Sequence, residues 1–555
     1  MTTHRLWLKR IVGLFLLISL VGYYLLLLSN SKLYRDTFFH IGRIYEIRYA
    51  FQHFEFPNWL NFQSFFGIGQ AVNGMYPDIS LYPFVLLTMP LSPFHQVVAI
   101  QVLIAVLTII VTYVCLTRRH VPTDISLYTS TIYTFALLCI NFDFEPGTII
   151  ILIFGLPMAF TTFDILVSKN FDIKLALKFA LVVILVLYSH FLSIIVLAFM
   201  MASIFAYLLI TKKTSIYAIT NILVAMIISI LAISPIIYRY LLINQSGLTM
   251  PAFQGNIHSA SLPSLIRGSF VAFFVIIVSF LTYHKKSIRS AFTSPLTLLI
   301  LYVCFLCTYF PWKLFNHVPL VNNFQLADKR FLPILFIIAA ILISQTQGKS
   351  ISRTYKILGV LAILMILLST ALLIHRARIF NFPFNADTYK AVTLVKGSYN
   401  KEEQHVNQNM YYDYYPYGVS SSLKNGFYLS KKGQRIVWNP TIKSGKKQIP
   451  IKKVAINNGV NITPKKSLTS TTGKITLPML GYKSLNYQVR VNGKNVSYTI
   501  NGLYLAIHQH HLSRSDVITV MFHNPTIYTW LMVIALIYVV LLISVLVYLF
   551  LNSKI

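Results

Sequence analysis

Twelve runs of apolar residues, most of them close to twenty long, decide what this chain can fold into. They fall at 5-28, 95-117, 124-141, 148-167, 174-189, 191-211, 216-237, 268-284, 290-310, 331-347, 355-375 and 526-551. A helix of about 20 apolar residues matches the hydrocarbon thickness of a bilayer. Composition agrees: only 11% of the residues are charged and mean hydropathy is +0.66. Soluble domains carry about 25% charged residues. The expected fold is therefore a mostly α polytopic membrane protein, and a water-soluble enzyme is excluded.

The 47 Lys and Arg against 15 Asp and Glu leave a net charge of +32. In a soluble protein that excess would point to nucleic acid; between apolar runs it reports orientation instead. Basic residues in short loops mark the cytoplasmic side. His4, Arg5, Lys9 and Arg10 place the N-terminus inside, and the absence of a small-residue cleavage site makes the first helix an uncleaved anchor. Arg118 with Arg119, Lys169 with Lys174, Lys212 with Lys213, and Lys285, Lys286 and Arg289 then fall inside as well. So do Lys349, Arg353, Lys356 and the terminal Lys554. The alternation holds only if Ile79–Pro93 does not span, and Pro83, Pro90 and Pro93 make it an interfacial or re-entrant segment. Both termini are expected in the cytoplasm of a multi-pass cell-membrane protein.

Three units follow. Residues 1-376 form the membrane core, with a long first outer loop at 29-94. Residues 377-524 form an extracytoplasmic, β-sandwich-like domain, and 525-555 return to the membrane as a last helix. In the outer domain YQVRV at 487-491, VSYTI at 496-500 and VITVMF at 517-522 read as strands. Asn492-Gly493 and Asn501-Gly502 supply hairpin turns. The Lys-, Thr-, Ser- and Asn-rich stretch from Lys443 to Lys474 reads as loop. The domain holds +15 of the net charge. Tyrosines in YYDYYPY at 411-417 read as core first and as a sugar platform second. Cys304 and Cys307 sit in an apolar run without partner ligands, and His508, His510, His511 and His523 lack an acid or thiol to complete a metal site.

Acids are scarce before residue 377, and most fall on the outer side. Asp36 stands out because it follows the first helix directly. Asp36, His40 and Arg43 are spaced i, i+4, i+7 and share one helix face, while Phe38, Ile41 and Tyr45 take the other. The plain reading is an amphipathic helix with a solvated charged face. Tyr76 and Asp78 in GMYPDISLYP, Asp143 and Glu145 in NFDFEPG, and His190 in YSHFLS reach the same outer plane. Gln325, Lys329 and Arg330 in FQLADKRFLP add cations suited to a lipid phosphate or to interfacial anchoring. Glu46 and Glu55 read as tolerated loop charges.

These residues resemble the GT-C superfamily of integral-membrane glycosyltransferases, and within it the YfhO-type bacterial membrane proteins and the group named 6-pyruvoyl-tetrahydropterin-synthase-related. The resemblance rests on DTFFHIGRI, GIGQAVNGMYPDISLYP, YSHFLS and FNHVPLVNNFQLADKRFLP, and on the terminal LPMLGYKSLNYQVRVNGKNVSYTINGLYLAIHQHHL. The family's aromatic-Pro-Trp-Arg pattern is replaced here by LADKR around Arg330. Nothing in the sequence supports pterin chemistry.

The resemblance implies Asp36 as general base, inverting transfer from a polyprenyl-phosphate sugar, and an acceptor in a cell-envelope polymer or glycolipid on the outer face. Arg330 with Lys329 or Arg43 would hold the donor phosphate, and His40 and His190 would orient the phosphate or the acceptor, with Tyr76, Asp78 and Gln325 lining the site and Asp143 and Glu145 as acidic support. It implies no obligatory cofactor; a divalent metal is compatible with the acids but not expected. A transporter or flippase is the competing reading, hinted at by Pro157 and Pro235 within helices, and a non-catalytic envelope-assembly protein is the third.

Overall fold

The computed structural model describes residues 2–29, 35–91, 93–140, 146–190, 193–210, 215–248, 351–379, 414–416, 424–425, 428–429 and 440–552. Nine of the twelve apolar runs coincide with described helices. These are α1 (Thr2–Ser29), α5 (Pro93–Arg118), α6 (Thr123–Ile140), α7 (Pro146–Leu166), α8 (Ile173–Ser189), α9 (Ser193–Ile210), α10 (Ile216–Asn244), α11 (Ile351–Ile379) and α12 (Thr526–Asn552). The runs 268-284, 290-310 and 331-347 lie outside the described residues. Among the described residues three helices, His95–Arg118, Ile216–Asn244 and Thr526–Leu549, are long and apolar enough to cross a membrane.

Packing follows chain order closely. Helix α5 lies against α6 and α7, α8 joins α7 to α10, and α10 packs on α12. Helices α1 and α11 pair with each other, and α11 packs on α6. One buried cluster of Ile, Val, Leu, Ala and aromatic side chains runs through this body. Helices α7 and α10 continue through Pro157 and Pro235 without interruption.

The segment 35–91 builds a platform on this body. Helix α2 (Arg35–Gln52) packs on α5 and on α4 (Tyr82–Thr88). Between them lie a 3-10 turn at Phe65–Gly67, α3 (Val72–Met75) and a 3-10 turn at Ile79–Leu81. The apolar stretch Ile79–Thr88 rises about 15 Å, half of a hydrocarbon core, so it cannot span alone. Gly74 marks a close approach. Its N–H donates to the Trp59 carbonyl at 2.9 Å, and a Cβ there would stand 2.5 Å from Ile243 Cδ1.

Residues 441–522 form an antiparallel sheet domain. Its strands are β3 (Thr441–Ser444), β4 (Lys447–Ile456), β5 (Gly459–Pro464), β7 (Lys474–Leu480), β8 (Tyr487–Val491), β9 (Lys494–Asn495), β10 (Tyr498–Asn501), β11 (Tyr504–His508) and β13 (Ile518–Phe522). They pair in the order β10-β11-β7-β3-β4-β5-β13-β8-β9. Short pairs β1 (Lys424–Asn425) with β2 (Tyr428–Leu429), and β6 (Leu468–Thr469) with β12 (His511–Leu512), stand beside it. Strand β4 is the corner. Its first residues pair with β3 and its residues from Ile451 onward with β5, so the two halves close over one cluster that includes Ile475, Leu505, Val460 and Val520.

The expected strands at 487-491 and 517-522 are β8 and β13. The Asn492-Gly493 turn joins β8 to β9 with both residues at positive φ, 50° and 79°. The second hairpin turns at Gly502-Leu503, one residue later than Asn501-Gly502 suggests. The loop expected at 443-474 is corrected: it holds β4, β5 and β6. There β-branched residues alternate with the Lys, Asn and Thr that dominate its composition, as in β5, where Val460 and Ile462 face inward and Asn461 and Thr463 do not.

The sheet domain is seated on residues 55–71 of this segment. Asn58 Nδ2 donates to the Phe522 carbonyl at 2.6 Å, and Gln63 Nε2 to the Ile456 carbonyl at 2.7 Å. The Leu480 N–H donates to the Ile68 carbonyl at 2.9 Å, and the Ala71 N–H to the Tyr482 hydroxyl at 2.9 Å. Glu55 accepts from Asn457 and Asn458 in the β4–β5 turn. Trp59, Phe62 and Ile68 are buried in the same cluster as the sheet interior.

Candidate functional site

Helix α2 positions the stripe singled out in sequence. Asp36 stands in its first turn, and Arg43 lies about 10 Å further along the axis. The expected solvated face is corrected by burial: Arg43 is fully buried and His40 is 2% exposed. The reason is that GMYPDISLYP folds back over α2 rather than leaving it open to water.

Arg43 organises the first half of the site. Its Nη1 lies 3.1 Å from His40 Nδ1, and its Nη2 donates to the Pro77 carbonyl. The guanidinium carbon sits 4.2 Å from the centre of the Tyr76 ring, a cation–π contact in a desolvated setting. Nε has no hydrogen-bond partner, and Arg43 makes no ion pair among the described residues. Burial lowers its pKa, and Tyr76 and Asp78 act in the opposite direction. Because guanidinium only donates, His40 Nδ1 is the acceptor, which leaves the neutral imidazole proton on Nε2.

Tyr76 is the hub of an aromatic set. His40, Phe39 and His190 lie with ring centres 5.7, 5.6 and 5.6 Å from it. His190 ends α8 in an extended conformation, its N–H bonded to the Val186 carbonyl and its Nδ1 2.9 Å from Ser193 Oγ. Thus α2, the loop before α4 and the end of α8 bring His40, Arg43, Tyr76 and His190 together.

Asp78, the next residue after Pro77, forms the second half. Its Oδ1 accepts from Arg239 Nη1 at 2.9 Å, with both side chains almost fully buried. Its Oδ2 accepts from the Tyr82 hydroxyl at 2.9 Å. Arg239 also reaches the Tyr528 hydroxyl at 3.4 Å. Both Asp78 oxygens are therefore engaged within the protein, so Asp78 acts as an anchor for the Tyr76–Pro77 segment rather than as an open ligand. Arg239 and Tyr528 escape a reading by motif. The signal that finds Arg239 is a lone arginine inside an otherwise apolar helix, which demands a buried partner.

Glu46, one turn beyond Arg43, is structural. It accepts from the N–H groups of Phe62 and Gln63 and from Ser64 Oγ. Burial pushes its pKa up to about 7 although these donors pull it down. Tyr415 of the tyrosine-rich segment is buried in the sheet cluster, and the Tyr414 carbonyl accepts from Tyr482. Gln325, Lys329, Arg330, Asp143, Glu145, Cys304 and Cys307 lie outside the described residues. Among the described residues no three His, Cys, Asp or Glu side chains stand close enough to share a metal ion. Comparison with protein-family models, with known proteins and with solved structures finds no match to this chain.

Proposed function

We propose that the protein is a multi-pass membrane glycosyltransferase that moves a sugar from a polyprenyl phosphate to a hydroxyl of an envelope polymer or glycolipid on the outer face. Twelve spans with both termini inside, and a sheet domain outside, complete this reading. The observation that carries it is the convergence of His40, Arg43, Tyr76 and His190 on the helix that bears Asp36, around a buried guanidinium with no carboxylate pairing among the described residues. A buried cation of that kind favours an anionic ligand.

In the reaction Asp36 accepts the proton of the acceptor hydroxyl, whose oxygen attacks the anomeric carbon. The bond from that carbon to the phosphate oxygen breaks, and polyprenyl phosphate leaves with the electron pair. The leaving group is already an anion, so the site needs cations more than a general acid. Arg43 serves that need from α2, with Lys329 and Arg330 as the further cations that the resemblance assigns. Pro157 and Pro235 lie within the continuous helices α7 and α10, so neither proline lends support to a transporter reading.

The test is transfer from a polyprenyl-phosphate sugar in proteoliposomes. Asp36→Asn is expected to abolish turnover while leaving donor binding intact. Full activity of Asp36→Asn would overturn the assignment of the base. Absence of transfer from every polyprenyl-phosphate donor by the unaltered protein would overturn the enzyme reading.

A further inference from the structure

The sheet domain has two unlike ends. The end toward the first outer loop is tied down by hydrogen bonds: Asn457 and Asn458 donate to Glu55, Asn58 donates to Asn458, the Ala71 N–H donates to Tyr482 and the Leu480 N–H donates to Ile68. Strand register fixes what lies at the other end. Residue Ile456 of β4 pairs with Gly459 beside the docked turn, whereas Ile451 pairs with Pro464, so Lys465 and Lys466 follow at the far end. The β3–β4 turn carrying Lys446 and Lys447 is at that end too, because Ser444 pairs with Lys447. Lys474 opens β7 opposite His508, six residues before Leu480 reaches the loop.

These five lysines are all exposed, and none has an ion pair among the described residues. Asp516 is the one acid between 440 and 524. It is held by Asn492 Nδ2 at 2.8 Å and the Ser513 N–H at 2.7 Å rather than by a lysine. Clustered like charges repel one another and weaken a fold unless a counter-charge is supplied. The span of β4 sets the far end up to about 30 Å from the loop. That exceeds the screening length of about 8 Å at physiological salt several times over, so Glu55 at the docked end does not supply it.

We propose that this far end is a docking surface for a linear anionic glycopolymer, a chain of sugar or polyol phosphates. A flexible polyanion meets the requirement because its charges recur along its length and can lie across Lys446, Lys447, Lys465, Lys466 and Lys474 in turn. The proposal rests on the outward orientation given above and not on the transfer chemistry.

Binding of a fluorescent poly(glycerol phosphate) of about 20 repeats, measured by anisotropy on the full chain in zwitterionic nanodiscs, tests it. Binding should weaken linearly in log affinity against log salt. The variant K446Q/K447Q/K465Q/K466Q should lose at least about tenfold in affinity and about three units of salt slope, by the counterion release expected of four contacts. Lys483→Gln, at the docked end, should bind as the unaltered protein does. The polymer should also shield the four lysines of the unaltered protein from acetylation, a measurement that needs no variant to fold. Unchanged binding by the quadruple variant overturns the proposal. So does tighter binding of single-stranded DNA of equal charge, or shielding by phosphatidylglycerol vesicles in place of the polymer.

Discussion

Removing the charge of Asp78 while keeping its shape isolates the ion pair that fastens the site to α10. Asp78→Asn retains an oxygen for the Tyr82 hydroxyl but leaves the Arg239 guanidinium buried, with Tyr528 as its remaining contact. Breaking a buried pair by removing one partner costs about 3–5 kcal/mol, because the surviving charge stays desolvated. The side-chain exposures of 1% and 3% put this pair at the buried limit, where water cannot re-solvate the arginine without moving α10 or the Tyr76–Pro77 segment. Arg239→Met alone should cost a similar amount by stranding Asp78. The double variant Asp78→Asn/Arg239→Met leaves no buried charge, so it should be less destabilised than the sum of the singles by about 2 kcal/mol or more. Reversible unfolding in mixed detergent micelles measures all four corners of this cycle. Additive losses, or an Asp78→Asn variant as stable as the unaltered protein, would refute the reasoning. Because Pro77 also accepts from Arg43, loss of the anchor should weaken the donor binding proposed for Arg43 before it unfolds the chain.

Two further predictions concern buried titratable groups. Glu46 has its pKa raised from 4.5 to about 7, so its protonated form is the one the fold prefers. Its contribution is full below about pH 4.5 and falls by about 3 kcal/mol as pH rises to 7, where it levels off. Glu46→Gln should flatten that part of the pH–stability profile, and an unaltered slope would assign it to other groups. Lys453 is buried in the sheet domain without a hydrogen-bond partner for Nζ, and burial lowers its pKa from 10.5 to about 7. Its neutral form is favoured, so stability should rise as pH climbs from 7 toward 10.5. Lys453→Met should stabilise the protein at pH 7 by about 1–4 kcal/mol, with the gain shrinking toward pH 10.5. A destabilised variant would mean the ammonium has a function in that core.

The same lysine explains one failure of sequence reading. In β4 the inward positions are Ile449, Ile451, Lys453 and Ala455, so a cation occupies a core position and breaks the alternation that marks a strand. Where the inward set is uninterrupted, as in Ile518, Val520 and Phe522, the strand is plain. Helices were legible because each apolar run must satisfy its own backbone, a local rule. The α2 stripe was legible for the same reason, since three polar residues on one face need only the helical period. That the stripe is buried was not legible, because it depends on the Tyr76–Pro77–Asp78 segment returning over it from 33 residues beyond Arg43. The partner of Asp78 was hidden further still, 161 residues away on α10.

The path from the sheet domain to Asp78 is short and made of rigid groups, which has a physical consequence. Asn524, two residues past β13, accepts from the Trp59 N–H at 3.1 Å and donates to the Pro57 carbonyl at 3.0 Å. The Trp59 ring stands edge-on to Tyr528 at 4.9 Å, and the Tyr528 hydroxyl meets Arg239. Trp59 and Tyr528 are both buried in the cluster that also forms the sheet interior. A shift of the sheet domain by even 1 Å would therefore either carry α12 with it or open a gap beside Trp59. Close-packed interiors resist such gaps, so the displacement passes to the neighbouring groups instead of being absorbed. Those neighbours are Arg239 and, through it, Asp78 and the Pro77 carbonyl that holds Arg43. The sheet domain thus belongs to the framework of the site, and load placed on its far end is felt where the buried guanidinium sits.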